Sequence, residues 1–497
     1  MKLLKKLLDN KLLLFILIFL YGSLITIFMY YPTYSLDGYC QLAETYTEYA
    51  HNFFIAGRFI TAYLWVFFDL IHIPHDLLSV LTHTASIVFL SLSVVKLYTT
   101  IKNKIPDKIL YKIVLLLGST LVIYNPFTQG ILVFEEAFCM SLAVYLSIIS
   151  AIKIGKEISK ANIVKTTILM ICANLLYQGS ICYFIPTVIL INILDNQDKK
   201  IKDYIKDNYK KIIIYALIFG ISCIVEFISL QMYVNLSGVK SAKVGKIDII
   251  KNITIIFNLL LSTNNNMFSM INPNIFKYTY LIIIVLIISR IVVTFKKDYR
   301  NIFYIGLVVI LTTLAPFVPN LVMKSSFNYT APRLLLSFGA IVGYLIIGST
   351  LIHDKKENHL NSFYLLLILI IGIYFFINCS YMTLYNSYHD YTRYKADKEY
   401  IEAIKKDINK YEKNNNIKIK ELYYNNKTIE RPNYYGKYYS INHIRVCASN
   451  WGLECGVKAF IDKDLRVKEM SENKFNELQE KETNMDFDND KAYIIFK

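Results

Sequence analysis

The sequence predicts a mainly α protein: a polytopic bundle of about eleven transmembrane helices, followed by a small α/β domain. Three observations predict it. Apolar residues make up 55% of 497, with a mean hydropathy of +0.38, above the roughly 45–50% of soluble domains. Residues 12–36, 77–95, 113–134, 166–194, 302–323, 334–352 and 360–388 hold no Asp, Glu, Lys or Arg. Lysines cluster between alternate apolar runs. One soluble core cannot absorb this excess, because single cores stop growing at roughly 250–300 residues. Disorder needs low hydrophobicity, and 8 Cys in 497 residues is too sparse for a disulfide scaffold.

The elements follow in order. Lys2, Lys5, Lys6 and Lys11 place the N-terminus in the cytoplasm by the positive-inside rule. No A-x-A-like cleavage site follows the first run, so it reads as a retained span. Spans are expected at 12–31, 77–97, 110–126, 133–152, 163–178, 179–195, 212–231, 278–295, 302–323, 334–352 and 361–381. The alternate turns carry Lys102, Lys104, Lys108 and Lys112; then Lys153, Lys156, Lys160 and Lys165. Next come Lys199, Lys200, Lys202, Lys206, Lys210 and Lys211; then Lys296, Lys297 and Arg300; then Lys355 and Lys356. Residues 166–194 are read as a hairpin turning at Gln178 and Gly179, which keeps the six-lysine loop inside. Eleven spans put the C-terminus outside, in a bacterial plasma membrane.

Residues 1–381 form the membrane body in this reading, and 382–497 an extracytoplasmic α/β domain. The net charge of +16 divides accordingly. Residues 381–497 hold 21 Lys+Arg and 19 Asp+Glu, leaving 33 and 19 for the rest. The excess is a topology signal facing anionic lipid, and no basic stripe interleaved with aromatics suggests nucleic acid. In the tail, 390–412 and 471–481 read as helices, the second capped by Ser471. IKIKELYY (417–424), VKAFI (457–461) and AYIIF (492–496) read as strands. Cys447 and Cys455 flank Trp451, and either a disulfide closing that loop or two free thiols fits.

Ionisable groups kept at a membrane face are costly and therefore informative. The outer loop 32–76 holds Asp37, Glu44, Glu48, His51, Arg58 and Asp69. Its 53–73 segment is apolar enough to lie in the interface as a helix or half-helix. Tyr34, Tyr39, Tyr46 and Tyr49 would line it. Glu135 and Glu136 open the fourth span, Tyr177 and Gln178 end the fifth, and Arg333 opens the tenth. Glu226 is the main charge within a span. His72, His75 and Asp76 match a metal pair only loosely, with Pro74 interrupting, and are read as a loop feature. There is no phosphate-binding glycine loop or nucleophile elbow.

Asp37 soon after span one, Gly57-Arg58 about twenty residues on, Glu135-Glu136, Tyr177-Gln178 and Arg333 together resemble the type II Gtr glucosyltransferase family, bacterial multi-span enzymes of the GT-C superfamily. The resemblance implies a GT-C-like fold and an inverting transfer. The sugar, glucose, would pass from a polyprenyl-phosphate donor to a surface glycan (O-antigen or teichoic-acid-like) on the outer face. It implies Asp37 as the base, Arg58 or Arg333 on the phosphate, and Glu135 or Glu136, Tyr177 and Gln178 on the sugar. No cofactor is required by the sequence, and a divalent cation is left open. A polysaccharide polymerase or ligase would carry its reactive loop late in the chain. A lipid-linked sugar flippase would carry more charge within its spans.

Overall fold

The computed structural model describes residues 2–196, 200–240, 248–261, 271–294, 299–321, 332–351, 359–426, 445–481 and 483–496. The N-terminal helices are α1 (Lys2–Asp9) and α2 (Lys11–Ile25). Three helices then fill the expected outer loop: α3 (Leu36–Ala43), α4 (Tyr46–Ile55) and α5 (Phe59–Leu70). The bundle continues with α6 (His75–Lys102), α7 (Ile109–Ile123), α8 (Pro126–Leu132), α9 (Ala137–Lys156), α10 (Lys160–Leu176) and α11 (Phe184–Asn196). Then come α12 (Ile201–Ser237), α13 (Ile249–Leu261), α14 (Pro273–Thr294), α15 (Tyr299–Leu314) and α16 (Val318–Leu321). It closes with α17 (Leu336–Gly339), α18 (Ile341–Leu351) and the 57-residue α19 (His359–Asn415). Each expected span overlaps at least one of these helices, and those at 302–323 and 334–352 each overlap two. Eight helical segments among the described residues are long and apolar enough to cross a membrane, and the chain is a multi-pass membrane protein.

Burial separates two kinds of helix. The faces of α6, α7, α9 and α11 are largely covered by neighbours, whereas α12 turns Ile213, Leu217, Ile224 and Ile228 outward. A helix apolar all round, yet covered by protein on only part of its surface, has lipid as its remaining solvent. Residues 166–194 do break into two helices. Tyr177 adopts an extended backbone, and Gln178–Tyr183 form a 3-10 turn between α10 and α11. The fourth span begins later than expected: Asn125 caps α8, whose first residue is Pro126, and α9 starts only at Ala137. The turns at Lys296, Lys297, Lys355 and Lys356, and Lys199 before α12, lie outside the described residues.

In the tail, α19 runs from the bundle into the C-terminal region without interruption. No Gly or Pro lies between 373 and 415 to end it, so the expected 390–412 helix is its last third. Beyond it lie β1 (Glu421–Asn425), α20 (Asn450–Phe460), β2 (Arg466–Glu469), α21 (Glu472–Glu480), β3 (Met485–Asp488) and β4 (Lys491–Ile495). The sheet order is β2-β1-β4-β3, with β1 parallel to both neighbours and β3 antiparallel to β4. Leu422, Ile494 and Phe496 pack with Leu453 and Val457 of α20 and with Ile404 and Ile408 of α19. Ser471 caps α21 through the Lys474 N–H, as expected. VKAFI is a correction. It ends α20, because Ser449 caps a helix seven residues ahead of it and the apolar pair Leu453 and Val457 repeats at helical spacing.

Neither reading of Cys447 and Cys455, a disulfide between them or two free thiols, holds. Cys455 bonds Cys40, and Cys447 is a buried free thiol in the tail core. α20 lies along α3, so closely that a Cβ on Gly452 would come within 2.8 Å of Leu36. The tail is thereby joined to the helix that carries Asp37.

Candidate functional site

Local sequence rules place each polar side chain. Ser35 caps α3 by accepting the Gly38 N–H at 3.1 Å, which puts Asp37 in the first turn. A carboxylate there is favoured by the helix dipole. Thr45 and Glu48 form a capping box that starts α4. Gly57 ends it at φ 75°. The Gly57 N–H donates to Phe54 O and the Arg58 N–H to Phe53 O. This paired bond pattern closes a helix where glycine supplies the left-handed residue. It fixes Arg58 between α4 and α5. The 53–73 segment is therefore two helices hinged at Gly57, not one half-helix.

Arg58 points at Glu136, with Nη1 3.4 Å from Oε1, and its guanidinium lies over the Tyr177 ring, 4.7 Å from the centroid. Gln41 donates to the second oxygen of Glu136 at 3.0 Å. The Nε of Arg58 is buried and has no hydrogen-bond partner among the described residues. Arg333 packs over the Phe134 ring at 4.8 Å, with Nη2 3.9 Å from Asp37 Oδ2. Its carbonyl accepts the Tyr177 hydroxyl at 2.9 Å. Gly179 permits this approach, since a Cβ there would meet the same carbonyl at 2.9 Å. Gln178 donates to Ala56 O at 2.9 Å and to Glu226 Oε1 at 3.0 Å. That carboxylate occupies the space a Gly57 side chain would need.

All seven residues singled out in the sequence thus meet in one cluster: Asp37, Arg58, Glu135, Glu136, Tyr177, Gln178 and Arg333. They come from the starts of α3, α5 and α9, the end of α10 and the segment before α17. Asp37 is the most open of the charged members, its side chain 35% exposed against 13% for Arg333 and 5% for Glu136. Burial raises both glutamates above their ordinary range, with the Arg58 charge opposing this for Glu136 and the His75 hydrogen bond for Glu135. Tyr34, Tyr39, Tyr46 and Tyr49 are not a wall at the lipid headgroups. They are buried inside the protein.

The structure adds three members. Glu226 enters from α12, and its signal was a lone carboxylate in an apolar span. His75 and Asp76, set aside as a loop feature, are the first residues of α6. His75 Nδ1 lies 3.1 Å from Glu135, and Asp76 accepts the Tyr34 hydroxyl at 2.7 Å. Pro74 caps that helix and separates His75 from His72, which stays in the turn before it. Chemically the cluster offers two half-buried cations for an anion, an open carboxylate beside them, and amide and carboxylate groups suited to hydroxyls.

A family description, Glucosyl transferase GtrII, matches residues 26–350. No curated protein matches the chain. The matched segment covers more than half of the chain and every member of the cluster, from Asp37 to Arg333, while the α20 half of the disulfide lies beyond it. With its apolar helices, this establishes the chain as a member of the GtrII glucosyl transferase family and a membrane glucosyltransferase.

Proposed function

We propose that the protein transfers glucose from a polyprenyl-phosphate donor to a surface glycan (O-antigen or teichoic-acid-like) on the outer face of the bacterial plasma membrane, as an inverting GT-C enzyme. Residues 1–381 are the transferase body and 382–497 an outer domain. The observation that carries this reading is the paired arrangement of Arg58 on Glu136 and Arg333 on Asp37 within one cluster.

Inversion requires the acceptor hydroxyl and the departing phosphate on opposite faces of the sugar. Asp37, the most open carboxylate, takes the hydroxyl proton as general base. Arg333 stands beside it, Nη2 3.9 Å from Oδ2. Arg58, which does not touch the base, holds the phosphate, and a planar fork suits that anion. Fixed donors aimed at developing charge are worth about 10²–10³ in rate each. Glu136, Tyr177 and Gln178 position sugar hydroxyls, with Glu135 behind them. The Cys40–Cys455 bond supports an oxidising compartment for α3 and the tail, and hence an outer site.

The test is turnover of polyprenyl-phosphate-glucose by the purified full-length protein, with surface glycan as acceptor. The expected result is release of polyprenyl phosphate with glucose on the glycan. Movement of intact donor across a vesicle membrane without release would contradict it and indicate a transporter.

A further inference from the structure

Glu135 and Glu136 are adjacent in sequence and part company in space. Glu136 turns to Arg58 and Gln41, whereas Glu135 turns to His75. Both Glu135 oxygens lie near His75 Nδ1, at 3.1 and 3.3 Å, and the carboxyl is buried, with its side chain 1% exposed. The imidazole packs against Tyr46, ring centroids 4.2 Å apart. The Tyr46 hydroxyl is engaged by Ile73 O at 3.0 Å and does not compete for the ring. Asp76, next in sequence, is taken by Tyr34. Every hydrogen bond to the ring among the described residues goes through Nδ1, and the side chain is 22% exposed. One ring nitrogen is therefore fixed by a buried carboxyl, and the other is left for a ligand. A titratable group oriented by a third residue is the arrangement of a proton-transfer site.

We propose that His75 is the proton donor to the departing polyprenyl phosphate, with Glu135 as the positioning residue that fixes its ring. The inference rests on the donor reading given above. A buried glutamate beside an imidazole holds its proton more firmly than an exposed one. With a proton shared between the carboxyl and Nδ1, Nε2, which has no protein partner among the described residues, serves as the N–H donor. The donor lipid is a phosphodiester with one negative charge. When the bond from the anomeric carbon to the phosphate oxygen breaks, the monoester gains a second charge. Nε2 gives its proton to a phosphoryl oxygen, and the shared proton moves from Glu135 to Nδ1. The acceptor oxygen forms the new bond to the anomeric carbon, its proton passes to Asp37, and water restores both groups. Besides Glu135, the ionisable groups around the ring are Asp76, Tyr34 and Tyr46, with Glu136 and Arg58 adjoining.

The experiment measures kcat and KM for polyprenyl-phosphate-glucose with full-length wild type, His75→Ala, His75→Gln and Glu135→Gln, with and without added imidazole. His75→Ala and His75→Gln are expected to lose about 10²-fold or more in kcat, with KM within a few-fold. Imidazole should restore His75→Ala at least tenfold, which a structural role would not allow, and leave His75→Gln, where the cavity stays filled, unchanged. Glu135→Gln should lose less than His75→Ala and show no rescue. If His75→Ala fails to fold, the kcat of His75→Gln decides: a wild-type value overturns the proposal. A wild-type kcat in His75→Ala, or a loss that imidazole leaves untouched, overturns it too. Wild type without donor turnover overturns the donor reading and this proposal together. An active wild type with unaffected His75 variants overturns this proposal alone.

Discussion

The bundle carries ion pairs at both of its ends, and the two sets are built differently. At one end Lys5 and Lys112 meet Asp107, Lys102 and Lys112 meet Asp9, and Lys104 meets Asp195. At the other, Arg58 meets Glu136 and Arg333 meets Asp37. The lysine pairs tie α1, α6, α7 and α11 together where the chain turns. Their carboxylates are open, with Asp9, Asp195 and Asp107 side chains 37%, 39% and 68% exposed, although Lys112 itself is only 5% exposed. The arginine pairs stack on Tyr177 and Phe134, hold Glu136 at 5% exposure, and leave Arg58 Nε without a hydrogen-bond partner among the described residues. Lysine is a hydrated point charge on a flexible stem, while arginine offers a planar fork that tolerates burial. The first end serves topology and fastening. The second keeps charge in a covered place at a cost in solvation, which marks chemistry.

The comparison breaks most directly at Asp37. Asp37→Asn keeps size and removes the proposed base, so folded protein is expected with transfer reduced about 10²–10⁴-fold, read as glucose incorporation. Next is Arg58→Lys, expected to lose about 10²-fold because an ammonium cannot reproduce the fork. Donor turnover at saturating acceptor measures it. Gly57→Ala puts a side chain at φ 75° and towards Glu226. We expect about 1–3 kcal/mol of destabilisation, seen as a lower thermal midpoint, and roughly tenfold slower transfer as Arg58 shifts. Cys455→Ser should leave the bundle folded but loosen α20 from α3. Hydrogen exchange in 450–460 should rise and transfer should fall a few-fold. At the lysine end, Lys5→Gln should change stability by less than about 1 kcal/mol and transfer not at all.

How far the fold was legible depends on distance along the chain. Uncharged runs found their helices because lipid imposes an apolar surface over a whole span. The break at Gln178 and Gly179 was legible from the six lysines that follow. Arg58 and Asp37 were legible as charges in the first outer loop and through the family resemblance. Features set by remote contacts were not. Cys40 and Cys455 lie 415 residues apart, so nearby Cys447 was the only visible candidate for Cys455. VKAFI has the β-branched composition of a strand, but the cap that makes it helical lies outside the segment. His75 was passed over because a metal pattern was sought, whereas its partner, Glu135, is 60 residues away.

The central claim is that the arginine end, rather than the lysine end, receives the phosphate of a polyprenyl-phosphate sugar. Its most direct test is an experimental structure of the full-length protein with a non-cleavable phosphonate analogue of polyprenyl-phosphate-glucose. The account predicts phosphonate density against Arg58, with the sugar between Glu136 and Gln178 and one face open to Asp37. Phosphonate density among Lys102, Lys104 and Lys112, with the arginine cluster unchanged, would contradict it.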